Sequence, residues 1–246
     1  MRTPFHYLRY NAMNSLNVIE SCVDCNVRRF VFSSTAALFG EEIKSTKASE
    51  STVINPSSPY GDSKFFIEKT LSWADRIYGM RSACLRYFNA AGADPQGRIG
   101  EDHRPENHLI PLTIDVALGR NKLLKIFGSD YDTRDGTCVR DYVHVTDLAD
   151  AHIRVIDKLD ESSVSYNLGN GIGFTNLDVV KSVERVSGRK VSWEWADRRR
   201  GDPAVLIADA SRMHQETGWL PHYRDIDAIV ETALAWREKH PDGYYD

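Results

Sequence analysis

Tyr60-Gly61-Asp62-Ser63-Lys64 places a phenol and an ammonium four residues apart. On a helix that spacing brings both side chains to one face. A free tyrosine has a pKa near ~10 and is a poor base at neutral pH, but a neighbouring ammonium favours the phenolate. Lowering the pKa to about 7 takes roughly 4 kcal/mol, which one lysine plus a positively charged ligand group can supply. A phenol tuned in this way can take and return a proton. Taken alone, the pair is more often a surface feature, and its position gives it weight. It falls just after Ser57-Ser58-Pro59, 25 residues beyond Thr35, where the run Ser33-Ser34-Thr35 closes a β-rich segment. A hydroxyl at that strand end can sit over the same reacting atom, because ligands of open α/β sheets bind at the carboxyl ends of strands.

The elements that must position this pair can be read locally. Ser58 suits an N-cap and Pro59 a first helical position, so a helix is predicted over about 59–78, stopped by Gly79. A helix is also predicted over 11–25, with Leu16, Ile19 and Val23 at helical spacing. Strands are expected at 28–34, 82–89, 139–145 and 166–171, the last ending in a glycine turn. Residues 41–56 read as loop, and 92–140 as loop with one helix near 112–118. Asp147 is expected to cap a helix that follows it, Thr175 and Asp178 to form a capping box closed by Gly188, and a last helix to span about 226–239. Alternation of strands and helices argues for an α/β fold with a parallel sheet. The irregular stretches suit a smaller lobe built from insertions.

Composition narrows the function classes. The chain has 246 residues, 41% hydrophobic and 27% charged, with a formal net charge of −4. That balance gives no general attraction to nucleic acid or to an anionic membrane, so an anionic ligand must be held by local arginines. No apolar leader and no run of 18 apolar residues is present, and a cytoplasmic location is expected. Cys22 and Cys25 form a CxxC without a second pair at zinc spacing, and all four cysteines are expected to be reduced and structural. His103 and His144 stand in no evident metal-ligand pattern; both read as structural or surface residues, and no metal is expected.

The Ser/Thr, Tyr and Lys together resemble the extended short-chain dehydrogenase/reductase family. The segments FSSTAALFGE, SPYGDSK, LRYFNAAGADPQGRIGEDH, HLIP, IFGSDYDTRDGTCVRDYVHVTDLADAH, YNLGNG and RRRGDPA follow one another in the order of the UDP-glucose 4-epimerase family. The resemblance implies NAD as cofactor and a UDP-sugar as substrate. A tyrosine takes the proton of the sugar 4-hydroxyl while hydride leaves C4, and hydride then returns to the opposite face. Tyr60 matches that tyrosine, Lys64 the lysine on the nicotinamide ribose, and Thr35 the hydroxyl that binds the 4-hydroxyl. Asn11, Tyr87 and Phe88 match cofactor-side residues. Asn89, His108, Leu109, Lys125, Ile126 and Phe127 match substrate-side residues. Arg140 and Arg199 match the diphosphate-binding arginines, and Asp202 the acid near the nucleotide. Guanidinium forks suit phosphate oxygens. Read without context, Arg198-Arg199-Arg200 would be a solvated surface run; the Gly-Asp-Pro that follows favours the ligand reading.

The resemblance also implies an incomplete Rossmann-like parallel sheet with a smaller α+β substrate-binding lobe. The remainder of the NAD-binding domain would comprise 1–91 and 139–173, and the UDP-sugar lobe 92–138 and 174–246. Family members are commonly dimers through helices that include the YxxxK helix; Phe65, Phe66, Ile67 and Leu71 suit that contact or ordinary core packing. Phe39 stands where the family often has tyrosine. Leu206 stands where a bulky residue disfavours N-acetylated sugars, which points to UDP-glucose and UDP-galactose. Ala36-Ala37-Leu38 lacks the acidic pair of the related dehydratases, whereas a UDP-xylose/UDP-arabinose 4-epimerase remains an alternative.

A strand, a glycine-rich turn and a helix should cradle the dinucleotide pyrophosphate. That pattern is not in this sequence, and Gly169-Asn170-Gly171-Ile172-Gly173 lies too far along to be it. The expectation is therefore an N-terminally truncated chain that binds NAD poorly and is inactive alone, or a non-catalytic UDP-sugar-binding remnant.

Overall fold

The computed structural model describes residues 4–40, 47–199 and 201–244. Arg200 and part of the 41–56 loop lie outside the described residues. The amino-terminal helical stretch runs through α1 (Pro4–Tyr7), a π-helical segment (Leu8–Met13) and α2 (Asn14–Asp24). It starts earlier than expected, and of its apolar residues Ile19 is buried while Leu16 stays exposed.

A parallel sheet carries the acid/base residues. Strands β1 (Arg29–Thr35) and β2 (Arg81–Tyr87) are joined by α3 (Pro59–Tyr78), and β2 pairs in turn with β7 (Val164–Leu168). Alternation divides its side chains between the two faces of the sheet. Phe32 and Cys84 meet Ile19, Ile67 and Leu71 beneath α2 and α3. Ala83 and Leu85 meet Leu148, Ala151 and Val155 of α5 (Val145–Lys158), together with Met213 and Trp219 around α7 (Ser211–Thr217). Helices thus cover both faces, as an all-parallel sheet requires. The carboxyl ends of β1 and β2 coincide, with Thr35 opposite Tyr87.

A second core lies beyond these strand ends. It packs α4 (Leu109–Ala117), α6 (Asn176–Ser187) and α8 (Ile226–Lys239) around Ile114, Val183 and Ile229. Short strands frame it: β3 (Asn89–Ala91) with β6 (Tyr142–His144), and β4 (Leu124–Phe127) with β9 (Trp193–Ala196). β5 (Val139–Arg140) lies between β8 (Phe174–Thr175) and β10 (Val205–Leu206).

The 139–145 segment, expected as one strand, is broken at Asp141 into β5 and β6. The Asp141 carboxylate accepts backbone N–H groups of Asn170 (2.7 Å), Gly171 (2.9 Å) and Ala208 (3.1 Å). Asp147 does not cap α5. His144 does, its Nδ1 accepting from Thr146 N. Asp147 lies in the first turn and instead accepts from His222 N and Tyr223 N, each at 2.9 Å. The Thr175–Asp178 capping box and the left-handed Gly188 stop are as expected. No helix among the described residues is long and apolar enough to cross a membrane.

Candidate active site

Local signals at 57–61 set the entry of α3. The Ser58 side chain accepts from Gly61 N at 3.1 Å, and Pro59 opens the helix. This first turn presses against the 3-10 turn Ala36–Leu38 that follows β1. A Cβ on Gly61 would stand 2.5 Å from the Ala37 carbonyl oxygen, so only glycine allows the approach. The approach carries Tyr60 to the end of β1, where its phenol comes close to the Thr35 side chain. Lys64, one turn further on, donates to the Ser33 carbonyl at 3.0 Å and stands 5.9 Å from the centre of the Tyr60 ring. Thr35, Tyr60 and Lys64 thus meet at the carboxyl end of β1.

Lys64 alone does not bring the phenol down; the expected tuning also called on a positively charged ligand group. Burial pushes the Tyr60 phenol above its ordinary pKa; the nearby Thr35 side chain opposes this, while Tyr87 and Tyr7 add to it. Burial also lowers the Lys64 pKa. Desolvation disfavours the charged form of both groups. Without a further cation Tyr60 is a protonated donor.

Glu68 continues the four-residue series of Tyr60 and Lys64. It accepts from Ser34 Oγ at 2.6 Å and binds Arg86 of β2 through both carboxylate oxygens, at 2.6–3.2 Å. Side chains of Arg86 and Glu68 are only 8% and 6% exposed. This buried pair ties α3 to both strands directly beneath the acid/base residues. It was not singled out from the sequence, although the 60, 64, 68 spacing marks it. Tyr7 is a second residue so missed; its ring lies 5.8 Å from that of Tyr60, edge to face. Nothing in its local sequence signals the contact, which depends on packing over 53 residues.

A cavity of about 1520 Å³ opens in front of this cluster, and its lining includes Thr35 and Tyr60 together with Arg140, Arg199 and Asp202. That exceeds the ~300–1,000 Å³ of an ordinary small-molecule site and suits long ligands. Arg140 donates to the carbonyls of Val139 (2.9 Å) and Pro203 (2.7 Å), with Nη2 3.8 Å from Asp202. The Arg199 guanidinium lies 3.9 Å over the Phe127 ring. Lys125 and Phe127 line the cavity, whereas Ile126, between them on β4, is buried in the second core. Its side chain therefore faces away from the cavity, as strand alternation requires. Asn89, His108 and Leu109 line the cavity as well. Asn89 also donates to the Asp141 carbonyl at 3.0 Å.

Other predicted residues have structural contacts. Asn11 donates to Ser63 Oγ at 3.1 Å and ties the amino-terminal helix to α3. Phe88 lines the cavity beside Tyr87 and packs in a cluster with Ala36, Phe39 and Ala208. Phe39 is 2% exposed, so it serves as packing. Leu206 packs against the same cluster and does not line the cavity, which removes the basis for reading sugar preference from it. His144 is buried between Thr146 and Thr232 and stacks on Tyr223. Of the cysteines, Cys84 and Cys138 are buried, but Cys25 at the end of α2 is exposed, so burial does not account for it.

A Tyr–Lys–Thr cluster at the end of a parallel sheet, beside a cavity lined also by arginines, is an arrangement suited to acid/base work on a hydroxyl of an anionic ligand. Residues 1–169 match the NAD dependent epimerase/dehydratase family. A UDP-glucose 4-epimerase of Halalkalibacterium halodurans is 45% identical over 246 residues, covering 99% of this chain and 73% of that relative. A crystal structure of a UDP-glucose 4-epimerase superposes with a TM-score of 0.95 at 44% identity, covering 100% of this chain and 75% of the other. The Bifidobacterium longum enzyme, solved with NAD+ and UDP, gives a TM-score of 0.91 at 37% identity, covering 98% and 73%. The chain belongs to the NAD dependent epimerase/dehydratase family.

Proposed function

We propose that this chain carries the acid/base and nucleotide-sugar-binding machinery for NAD-dependent interconversion of UDP-glucose and UDP-galactose at C4. The observation that carries the reading is the meeting of Thr35, Tyr60 and Lys64 beside a large cavity whose lining also includes Arg140 and Arg199. The UDP-glucose 4-epimerases similar to this chain support it. In this reading the Thr35 hydroxyl and the Tyr60 phenol hold the sugar 4-hydroxyl, and Tyr60 accepts its proton. Arg140 and Arg199 hold the diphosphate, with Phe127 beneath the Arg199 plane and Asp202 beside Arg140.

The residues present fit the nicotinamide end of NAD: Tyr60, Tyr87 and Phe88 line the cavity, Lys64 lies behind Tyr60 on the Ser33 carbonyl, and Asn11 steadies α3. When bound, the cofactor supplies the hydride acceptor and donor, and its positive ring supplies the cation that burial of Tyr60 calls for. Gly169–Gly173 does not serve as a phosphate cradle, because the N–H groups of Asn170 and Gly171 already donate to the Asp141 carboxylate.

We assign 1–91 and 139–173 to the cofactor half and 92–138 and 174–246 to the UDP-sugar half. This division is supported by the two cores, except that Met213 and Trp219 join the core of the sheet and Ala91 and Tyr142 join the other. The four free cysteines support a reducing, cytoplasmic location.

Titration of the chain with UDP, alongside turnover of UDP-glucose, UDP-galactose and UDP-pentoses with added NAD, tests the function. Because Thr35, Tyr60 and Lys64 are assembled in this chain, hexose turnover is expected in place of the inactivity read from the sequence, with UDP binding about ten- to a hundredfold weaker in Arg199→Ala, the cost of a charged hydrogen bond. Pentose turnover alone would move the substrate assignment. UDP binding without any turnover would make the chain a non-catalytic binder.

We also propose a homodimer formed through α3. Ile67 and Leu71 are core residues, but Phe66, Trp73 and Ile77 lie along one exposed face, 44%, 58% and 64% accessible. An apolar helix face of this kind is a common site of association. Sedimentation should give a dimer for the chain and a monomer for Trp73→Glu; a monomeric parent chain would refute the proposal.

A further inference from the structure

The loop entering α4 gathers donors that the sequence leaves scattered. His103, Glu106 and His108 each present a ligand-type atom, all within 4.8 Å of one another. His108 Nδ1 is 3.1 Å and His103 Nδ1 3.7 Å from Glu106 Oε1, and the two imidazole centres are 5.0 Å apart. Glu101 holds the same His108 Nδ1 through a 2.5 Å hydrogen bond, too short a separation for two ligands of one ion, so an ion bound to His108 must displace the proton they share. Ligands about 2.0–2.1 Å from a tetrahedral ion stand roughly 3.4 Å from each other, and the two Glu106 distances bracket that separation.

Glu106 supplies a second, independent observation. Its side chain is only 10% exposed, and its Oε2 is buried without a hydrogen-bond partner. A buried carboxylate oxygen left in this way costs free energy that a cation would recover. Oε1 meanwhile accepts the backbone N–H groups of Asn107 and His108, which fixes the orientation of the carboxylate. Held ligands of this kind define a site before any ion arrives.

We propose that His103, Glu106 and His108 form a binding site for a zinc-class divalent cation at the rim of the cavity, the ion displacing the proton that His108 shares with Glu101. Two imidazoles with a carboxylate select a borderline transition ion over magnesium, which prefers an all-oxygen set. His108 is the N-cap residue of α4 and lines the cavity with Glu101 and Glu106, so a bound cation pins residues 103–108 against that helix and adds positive charge at the cavity rim. The site does not depend on which sugar is turned over. Reading the sequence for metal patterns overlooked it because HxxExH here lies in a loop, where spacing alone does not show convergence.

Calorimetric titration of the chain with zinc chloride, and with magnesium chloride in parallel, tests the proposal. One zinc ion per chain and no magnesium binding are expected. His103→Ala and Glu106→Gln should each weaken zinc binding by about tenfold or more, with folded circular-dichroism spectra. Cys25→Ser, at the other soft donor pair, should leave binding unchanged. His103 is 44% exposed, so its replacement tests the site without threatening the core. Substoichiometric zinc uptake, undiminished binding in His103→Ala, or loss of binding in Cys25→Ser would each overturn the assignment.

Discussion

Tyr60→Phe is expected to lower epimerase turnover by about 10²–10⁴-fold, the usual contribution of a positioned acid/base group, with UDP affinity unchanged. The substitution removes one oxygen and keeps the ring against Tyr7. Loss should fall on kcat, because under the proposed function the phenol acts on the reacting hydroxyl while Arg140 and Arg199 hold the nucleotide. The pH profile carries the sharper signature. Burial raises the Tyr60 pKa, so activity requiring phenolate should climb with pH. Removing a nearby ammonium disfavours the phenolate further. Lys64→Met should therefore move the acidic limb of the profile to higher pH. Turnover retained in Tyr60→Phe, or a limb that stays in place without Lys64, would assign the proton transfer to another group.

Glu68→Ala should destabilise the fold by about 3–5 kcal/mol, the cost of leaving one partner of a buried ion pair alone. In urea the midpoint should drop accordingly, and the melting temperature should fall on the order of 10 °C for a chain of this size. The large effect follows from geometry: Arg86 loses its bidentate partner and Ser34 its acceptor, both in a site that excludes water. Replacing both charges together, as in Glu68→Met with Arg86→Leu, should recover much of the loss, since two apolar residues leave no uncompensated charge. A single variant within about 1 kcal/mol of the parent would show that the pair contributes little, as exposed pairs do.

How much of this was legible in the sequence varied with the range of the interactions. Helix α3 was readable to its ends because Ser58, Pro59 and Gly79 act within a few residues of where they stand. The Thr175–Asp178 capping box was readable for the same reason. Asp147 was a sound local candidate for a cap, yet its carboxylate is claimed by amides 75 and 76 residues away. Strands β4, β9 and β10, of two to four residues, went unread because so short a strand is defined by its neighbour rather than by its own pattern. At the site, the type and spacing of Tyr60 and Lys64 carried the chemistry. The orientation of Ile126 required the strand that had been missed, and the convergence of His103 with Glu106 and His108 required the loop to be folded.

The contact between Gly61 and the Ala37 carbonyl has a consequence for substitution scanning. Gly61 offers no side chain to substrate or cofactor, yet any replacement would wedge the first turn of α3 away from the end of β1 and carry the Tyr60 hydroxyl with it. In a saturation map read only by activity, Gly61 would be as intolerant as the tyrosine beside it. The map would there record a distance gauge set between two backbones, and a screen for new substrates should leave that gauge untouched while varying the walls around it.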